Sequence, residues 1–444
     1  MKYVSGKYRS GHLLEHITDI EKALTEAWKA EGMTGIANIQ TQRDFRDRIE
    51  DASYGRNVVR FDDANQPSIL VRFVPNKEAK KSFLYSDSTS GIHQAFVIDN
   101  LVRPFERAKY NFVRVGSTNY PVNLYGLTPA HSWNFDQFQA KAVAKGAGWS
   151  LPSQAMEAYI ALLSMRKAFQ SRGNTYYGYS HERPDEVGIM SSELESVGTR
   201  HTLTGTGPVS WRHDGTPFGV DGFVGNVWNW TGGRRLNVGE IQVIPDNNAC
   251  GSKRTAAAHA VGSTDWRAIL QNGTLVTPEA LLSAWAGATA YAENAVVMNG
   301  GVRYRSIAAH TSDSTTEPGV GAAWDTAWVR EGTLHMVWDG AKIVVSDAQD
   351  PSPSEDYRSI VFSTLTAAPG VTIPDIMKDL LLFPRTSAPK GTFYVRTAGE
   401  RLPCLGGSRG NGSSSAGLGA VNLYITRADA SNNIGAASAY VEPS

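Results

Sequence analysis

The side chains with the most reactive chemistry in this sequence are its cysteines and histidines. The only two cysteines, Cys250 and Cys404, do not make a disulfide framework, and we expect both to be buried, unreactive thiols. The ten histidines form no HExxH motif and have no cysteine partner, so the sequence predicts no catalytic zinc. The oxygens of VIPDNN, Val243–Asn248, suit either a structural calcium ion or an Asx-rich turn. No other cofactor is indicated.

The charge balance argues against two classes of partner. Lysine plus arginine and aspartate plus glutamate number 43 each. No basic surplus therefore indicates nucleic-acid binding, and the local charge runs are too short for a membrane surface. No run of about 18 or more apolar residues predicts membrane insertion. The N-terminal MKYVSGKYRSGHLLEH lacks the apolar core of a signal peptide, so we expect synthesis and folding in a reducing cytoplasm.

The segment Leu402–Tyr440 has an unusual composition. It contains no Lys, Glu, Gln, Met or Trp and consists mainly of Gly, Ser, Ala and Asn. Such a composition is typical of a flexible tail. Six apolar residues would nevertheless hold this segment against a core: Leu405, Leu418, Val421, Leu423, Ile425 and Ile434. An ordered segment of small residues with isolated Tyr, Arg and Asp side chains favours a binding surface over a catalytic centre.

Apolar periodicity predicts the elements that position this segment. Four helices are expected, at His12–Glu31, Phe135–Lys145, Ser153–Phe169 (capped by Ser153) and Thr372–Phe383 (opening at Pro374). Alternating runs from Asn57 to Leu124 predict strands, and Ser171–Asp265 is rich in turns. The apolar stripe of the first helix has two explanations: packing on its own domain, or oligomerisation and attachment to a larger assembly.

The stretch Ala284–Trp328 is predicted to be a separate small β module. Its short strands carry Tyr291, Val296–Val297 and Val302–Tyr304. Without disulfides, a module of this size depends on its aromatic side chains for stability. The whole chain is thus expected to be α+β in five parts: residues 1–56 (helical attachment or oligomerisation), 57–125 (β-rich), 126–280 (first part of the main domain), 281–331 (inserted module) and 332–444 (second part, with the display segment 402–440).

The order of several motifs resembles a known family. GAGWSLPSQAMEAYIALLSM, RGNTYYG, DGFVGNVWNW and LGGS occur in this order, and NNIGAASAY ends the chain. This pattern is similar to the C-type-lectin fold of the formylglycine-generating-enzyme type, and most similar to the phage and prophage variants that serve as tail receptor-binding proteins. The resemblance implies that Gly225 permits a tight turn, that Asn226 holds loop backbone by hydrogen bonds, and that Trp228 and Trp230 are buried scaffold.

The sequence departs from the enzymes of that family at the position that carries their chemistry. Those enzymes have a cysteine pair shortly after the GGS motif, which supplies a thiolate or copper–thiolate centre. Here the matching stretch is RGNGSSS, Arg409–Ser415, without a cysteine. The family's Ile-Gly-Phe-Arg ending is also replaced by Ile434–Ala437. We therefore expect no enzyme of this type; an oxidase or a glycan-active enzyme of the parent fold remains the alternative, together with a purely structural virion protein.

Two further resemblances concern particular segments. The five residue types missing from Leu402–Tyr440 are those that adenine-mutagenised Asn-type codons cannot specify, as in variable proteins diversified by retroelements; chance is the other explanation. The inserted module resembles small chitin-binding carbohydrate modules, which implies sugar stacking on Tyr291, Tyr304, Trp324 and Trp328. The alternative is that these aromatic residues form the core of the module.

These resemblances imply a tail-tip adhesin of a phage virion. It would assemble in the host cytoplasm as a homotrimer, contact other tail proteins, and bind a protein or glycan receptor on the bacterial surface. The expected receptor contacts are Arg409, Asn411, Ser413, Ser414, Tyr424, Ile425, Thr426, Ala428, Asp429, Ser431, Asn432, Ala436 and Ala437.

Overall fold

The computed structural model describes residues 10–192, 200–386, 389–412 and 415–443, with side chains from residue 16 onward. Helices and strands are mixed along the chain, which confirms the α+β class. The helices are α1 (Ser10–Ala30), α2 (Ile39–Ala52), α3 (Lys81–Tyr85), α4 (Phe135–Val143), α5 (Gln154–Arg166) and α6 (Asp375–Asp379). Within the described residues, no helix is both long enough and apolar enough to cross a bilayer.

Three larger sheets form the body. The N-terminal sheet has the strand order Asn57–Phe61, Pro67–Phe73, Phe105–Ala108, Ala439–Tyr440 and Trp149–Ser150. The C-terminal sheet has the order Arg358–Val361, Thr392–Val395, Val421–Leu423, Cys404–Leu405, Trp228–Trp230 and Ile434–Gly435. The central sheet runs Leu275–Val276, Arg267–Ile269, Glu240–Val243, His335–Trp338, Ile343–Ser346 and Thr366–Ala367, and Arg234–Asn237 pairs with both Glu240–Val243 and Glu400–Arg401.

The other strands form small sheets. Three of them lie in the body: Val97–Ile98 with Leu101–Val102; Val113–Val115 with Thr118–Tyr120 and Thr128–Pro129; and Tyr179–Ser180 with Arg183–Val187. Two lie in the inserted module. One pairs Ala290–Tyr291 with His310–Thr311, and the other has Val302–Ser306 between Val296–Asn299 and Trp328–Arg330.

Most of the predicted helices are present with small shifts in their ends. The Ser153 hydroxyl accepts a hydrogen bond from the Met156 amide at 3.1 Å, which confirms it as the N-cap of α5. Helix α6 has only five residues. It begins after its N-cap Pro374 and ends before Leu381, whose φ of 48° is left-handed. Helix α2 was not predicted; its buried residues Phe45, Ile49 and Ala52 are few among charged neighbours.

The apolar stripe of α1 packs within its own chain. Ile17, Ile20, Leu24 and Trp28 are buried with residues of α2 and the N-terminal sheet. This stripe is therefore not a free surface for the oligomerisation or attachment suggested for residues 1–56. The last strand, Ala439–Tyr440, lies between Phe105–Ala108 and Trp149–Ser150 in one sheet, so residues on both sides of the predicted boundary at 125 share this sheet.

Candidate functional site

The turn of the GNVWNW motif organises the loops around the C-terminal segment. Gly225 has a φ of 77°, and a Cβ there would lie 2.4 Å from the carbonyl oxygen of Asn174, so only glycine fits. The Asn226 side chain accepts from the Thr202 amide at 3.0 Å and donates to the Thr202 carbonyl at 2.9 Å. The Arg409 amide donates to the Asn226 carbonyl at 3.1 Å. Asn226 thus holds three loop segments together, as predicted.

Trp228 and Trp230 lie in the cluster beneath these loops. They are 4% and 0% exposed, respectively, and share a cluster with Phe135, Ile425 and Ile434. Because alternate residues of a strand point to the same face, both rings pack on one side of the C-terminal sheet. The structure confirms the prediction that they are scaffold.

The C-terminal segment forms two loops that meet at Arg409. We call residues 406–412 and 415–420 the first loop and residues 424–433 the second loop. Nη1 of Arg409 donates to the Asn432 carbonyl at 2.9 Å and lies 2.7 Å from Nε2 of His201. The His201 ring stacks on His131 with centroids 5.0 Å apart. Arg409 is only 4% exposed, so it joins the two loops from below.

Four of the predicted receptor contacts are buried, which corrects the prediction for them. Arg409 is held between the loops, and Ile425 packs in the cluster of Phe135 and Trp228. Ala436 and Ala437 are 0% and 1% exposed, because the chain re-enters the body there and the Ala436 carbonyl accepts a bond from Phe112. Seven other predicted contacts are exposed or half-buried: Asn411, Tyr424, Thr426, Ala428, Asp429, Ser431 and Asn432. Ser413 and Ser414 lie outside the described residues.

The second loop is fixed by its own polar side chains. Thr426 donates from its amide and its hydroxyl to Oδ2 of Asp429, each at 2.7 Å. Arg427 pairs with Asp136 at 2.7 Å and with Glu400 at 3.1 Å, and donates to the His259 carbonyl at 2.6 Å. These bonds leave the side chains of Ala428 and Asn432 exposed. The loop therefore presents small side chains on an ordered backbone.

Two exposed tyrosines adjoin the first loop and were not predicted as contacts. Tyr176 and Tyr177 are 47% and 42% exposed, and the Tyr177 amide donates to the Arg409 carbonyl at 2.9 Å. A Cβ on Gly410 would lie 3.1 Å from the Tyr177 hydroxyl, and one on Gly412 would lie 2.9 Å from the Tyr176 ring. The loop thus lies directly on both rings. The motif RGNTYYG contains both tyrosines, but nothing in the sequence indicated that they lie beside residue 409.

Tyr424 belongs to a second group of tyrosines. Its ring lies 5.4 Å from that of Tyr357, which stacks on Tyr394 at 5.6 Å. The guanidinium of Arg396 lies 5.4 Å from the centre of the Tyr424 ring. Tyr357 is 47% exposed. The predicted contact Tyr424 therefore lies in a half-buried cluster whose exposed edge is Tyr357.

The aromatic residues of the inserted module fall into two sets. Tyr304 and Trp328 are 7% and 1% exposed and form its core with Val297 and Ala327, which corrects their prediction as sugar-stacking residues. Tyr291 and Trp324 are half-buried against that core. Burial is expected here because a module of this size has few other apolar side chains to enclose.

Neither cysteine has the surroundings of a reactive thiolate. Both are buried and free of disulfides. Burial raises the pKa of the Cys250 thiol to about 11, and it raises that of Cys404 well above its usual range. Since the thiolate is the nucleophile and the metal ligand, burial leaves both thiols in the less reactive protonated form.

The side chains of the VIPDNN string are used within the fold. Asn247 donates to the Ala95 carbonyl at 2.7 Å, and Oδ1 of Asn248 accepts from the Asp99 amide at 2.7 Å. Asp246 has a φ of 54°, a conformation that Asp and Asn tolerate in turns. These contacts favour the Asx-rich turn over the calcium site.

No protein-family model matches the sequence, and no curated protein matches it.

Proposed function

We propose that this chain is a receptor-binding protein of a phage tail, in which a C-type-lectin-like fold of the formylglycine-generating-enzyme type presents the first and second loops to the bacterial surface. The motif order from Gly146 to Ser408 supports the fold, and the hydrogen bonds made by Asn226 in its central motif agree with it. In this proposal the protein is not an enzyme. It resides at the tail tip beside other tail proteins.

The observation that carries the proposal is the continuity of one ordered surface. Tyr176 and Tyr177 lie against the first loop, Arg409 ties that loop to the second, and Asn432 is exposed at their junction. The supports beneath the surface are buried, whereas the outward side chains are small, polar or aromatic. A rigid support with exchangeable outer residues suits recognition.

The composition of this surface is that of an adaptable binding site. Tyrosine offers a large contact area at low cost in conformational entropy, and Ser, Gly and Asn offer adaptable hydrogen bonding. Single-copy affinity is then modest, and several copies on one virion supply avidity. A homotrimer is the assembly that the resemblance implies.

Diversification of the segment is a separate part of the proposal. The exposed Ala428 and Asn432 and the half-buried Asn411 and Ser431 are positions where substitution leaves the core intact. Sequencing the DNA beside the gene tests the idea: we expect a second copy of the 402–440 coding segment, with adenines at these codons, near a reverse-transcriptase gene. Absence of both from the complete source genome refutes diversification and leaves the binding proposal standing.

Binding of the full-length protein to a panel of bacterial cells tests the proposed function directly. We expect saturable binding to a subset of strains. We expect the combined change Tyr177→Ala and Asn432→Ala to weaken it at least tenfold, since losing two contacts of about 1 kcal/mol each suffices for that. The matched control is Tyr54→Ala, because Tyr54 is 70% exposed and remote in sequence from both loops. We expect this variant to bind as the native protein does. No binding to any strain, including strains lysed by the source phage, contradicts the proposal.

A further inference from the structure

The two ends of the inserted module meet at a buried polar cluster on the central sheet. Glu279 lies just before the module, in the short turn Glu279–Leu281, and His335 begins the first strand after it. Glu240 is the register partner of His335. The three residues are 6%, 1% and 2% exposed, respectively. Two carboxyl groups and an imidazole are thus withdrawn from water at one point.

The imidazole is oriented with one nitrogen toward the carboxylates. Nδ1 of His335 lies 2.9 Å from the Thr333 carbonyl oxygen, which can only accept, so Nδ1 carries a proton. Nε2 then faces Oε2 of Glu279 at 3.3 Å, but it makes no hydrogen bond within the described residues. The buried Nε2 atom is therefore available as a metal ligand. A backbone carbonyl on the far nitrogen is also the usual support of a metal-binding histidine.

The spacing and the charge of the cluster fit a metal ion. One donor atom of each residue lies within 4.8 Å of the others, and the contact of 3.3 Å matches the separation of about 3.3–3.5 Å between tetrahedral zinc ligands. No lysine or arginine in the described part of the chain forms an ion pair with Glu240 or Glu279. A divalent ion would balance both carboxylates.

We propose that Glu240, Glu279 and His335 bind one divalent transition-metal ion, with zinc the best match to one imidazole and two carboxylate ligands. The neighbours hold these ligands in place. Gln349 donates to Oε2 of Glu279 at 2.7 Å, Gln242 donates to Glu240, and the Thr333 hydroxyl lies 2.9 Å and 2.8 Å from the two carboxylates. The ion would fasten both ends of the inserted module to the strand Glu240–Val243.

A protonated His335 is the competing explanation of the cluster. Burial opposes the charge, but the facing Glu279 and Glu240 carboxylates outweigh it and raise the pKa of His335. In that case the cluster is complete without a metal.

Metal titration of the full-length protein separates these explanations. After dialysis against a chelator and then buffer, zinc is added in a calorimeter, and cobalt is added while its visible absorption is followed. We expect one equivalent of either ion per chain, with the strong absorption of four- or five-coordinate cobalt. Glu240→Gln and His335→Gln should each weaken binding about 100-fold, whereas Glu293→Gln, at an exposed carboxylate of the module, should leave it unchanged.

The cobalt spectrum is measured on the native protein, so the result does not depend on the variants folding. Less than a tenth of an equivalent of bound metal at micromolar concentration overturns the proposal and leaves the protonated histidine as the explanation. Equal binding by the native protein and by folded Glu240→Gln and His335→Gln variants also overturns it.

Discussion

At the scale of single residues, three buried histidines accept hydrogen bonds from the backbone. Nδ1 of His93 accepts from the Ala95 amide at 3.1 Å, and Nδ1 of His213 accepts from the Val220 amide at 2.8 Å. Nε2 of His259 accepts from the Gly233 amide at 3.1 Å. Each ring is neutral in this role, because a protonated nitrogen cannot accept. Burial is the main cause that lowers the pKa of each to about 4.

These histidines predict a loss of stability in mild acid. In the unfolded chain each binds a proton below its ordinary pKa of about 6.5, whereas the folded protein stays neutral down to about 4. The unfolded state therefore binds more protons between these values, and stability falls as the pH falls, by up to about 1.4 kcal/mol per unit for each histidine. Urea unfolding at pH 6.5, 5.5 and 4.5 measures the slope.

The contribution of one histidine can be isolated by substitution. His93→Asn keeps an acceptor near the Ala95 amide and removes the titration, so the slope should decrease by about 1.4 kcal/mol per pH unit. His16→Asn, at an exposed histidine of α1, is the matched control variant. An unchanged slope for His93→Asn would mean that His93 is protonated equally in both states.

At the scale of elements, α1 is fastened by a buried ion pair as well as by its apolar stripe. Nζ of Lys109 lies 2.6 Å from Glu21 of α1 and donates to the Pro217 carbonyl at 2.7 Å. The Tyr110 hydroxyl donates to the other Glu21 oxygen at 2.7 Å. Both charged side chains are 0% exposed. The helix is therefore an integral part of the body.

Removal of the acidic partner should destabilise the whole body. Glu21→Ala leaves Lys109 buried without its counter-charge, and we expect a loss of about 3–5 kcal/mol in the free energy of unfolding. Glu26→Ala on the same helix breaks only a surface pair with Lys29 and should cost less than about 0.5 kcal/mol. Global unfolding monitored by tryptophan fluorescence measures both. An equal, small effect of both changes would show that α1 is not part of the cooperative unit.

At the scale of the whole molecule, the inserted module leaves and rejoins the body at one place. The Thr333 hydroxyl lies 2.8 Å from the Glu279 carboxylate, although more than fifty residues separate them in sequence. The module has its own core around Tyr304 and Trp328. The body on either side is joined through the central sheet by the pairing of Glu240 with His335.

This arrangement predicts that the module is dispensable for folding of the body. Replacing residues 283–331 with a Gly-Ser linker of about four residues should preserve the near-ultraviolet circular dichroism of the body and its cooperative unfolding, because a short loop closes the small gap at little entropic cost. Deletion of residues 154–166, which form α5 in the body, is the contrasting experiment and should abolish folding. Loss of soluble protein in the first case would show that the module and body fold as one unit.

The sequence alone determined features that depend on near neighbours in the chain. Ser153 caps α5 through the amide three residues later, Gly225 meets the demand of a positive φ, and alternation placed Trp228 and Trp230 on one buried face. Local steric and hydrogen-bonding rules fix such features. Helix α2 was missed because its apolar residues are sparse, and only tertiary packing shows which face they bury.

Tertiary structure alone decided which side chains are available for binding and which meet. A long arginine can point outward or inward from the same backbone, and only the approach of His201 and the second loop turns Arg409 inward. Tyr177 and Gly410 are distant in sequence but adjacent in space, as are Glu240, Glu279 and His335. Contacts between remote segments depend on the packing of the whole chain, so neither the proposed binding surface nor the proposed metal cluster could be read from residue spacing.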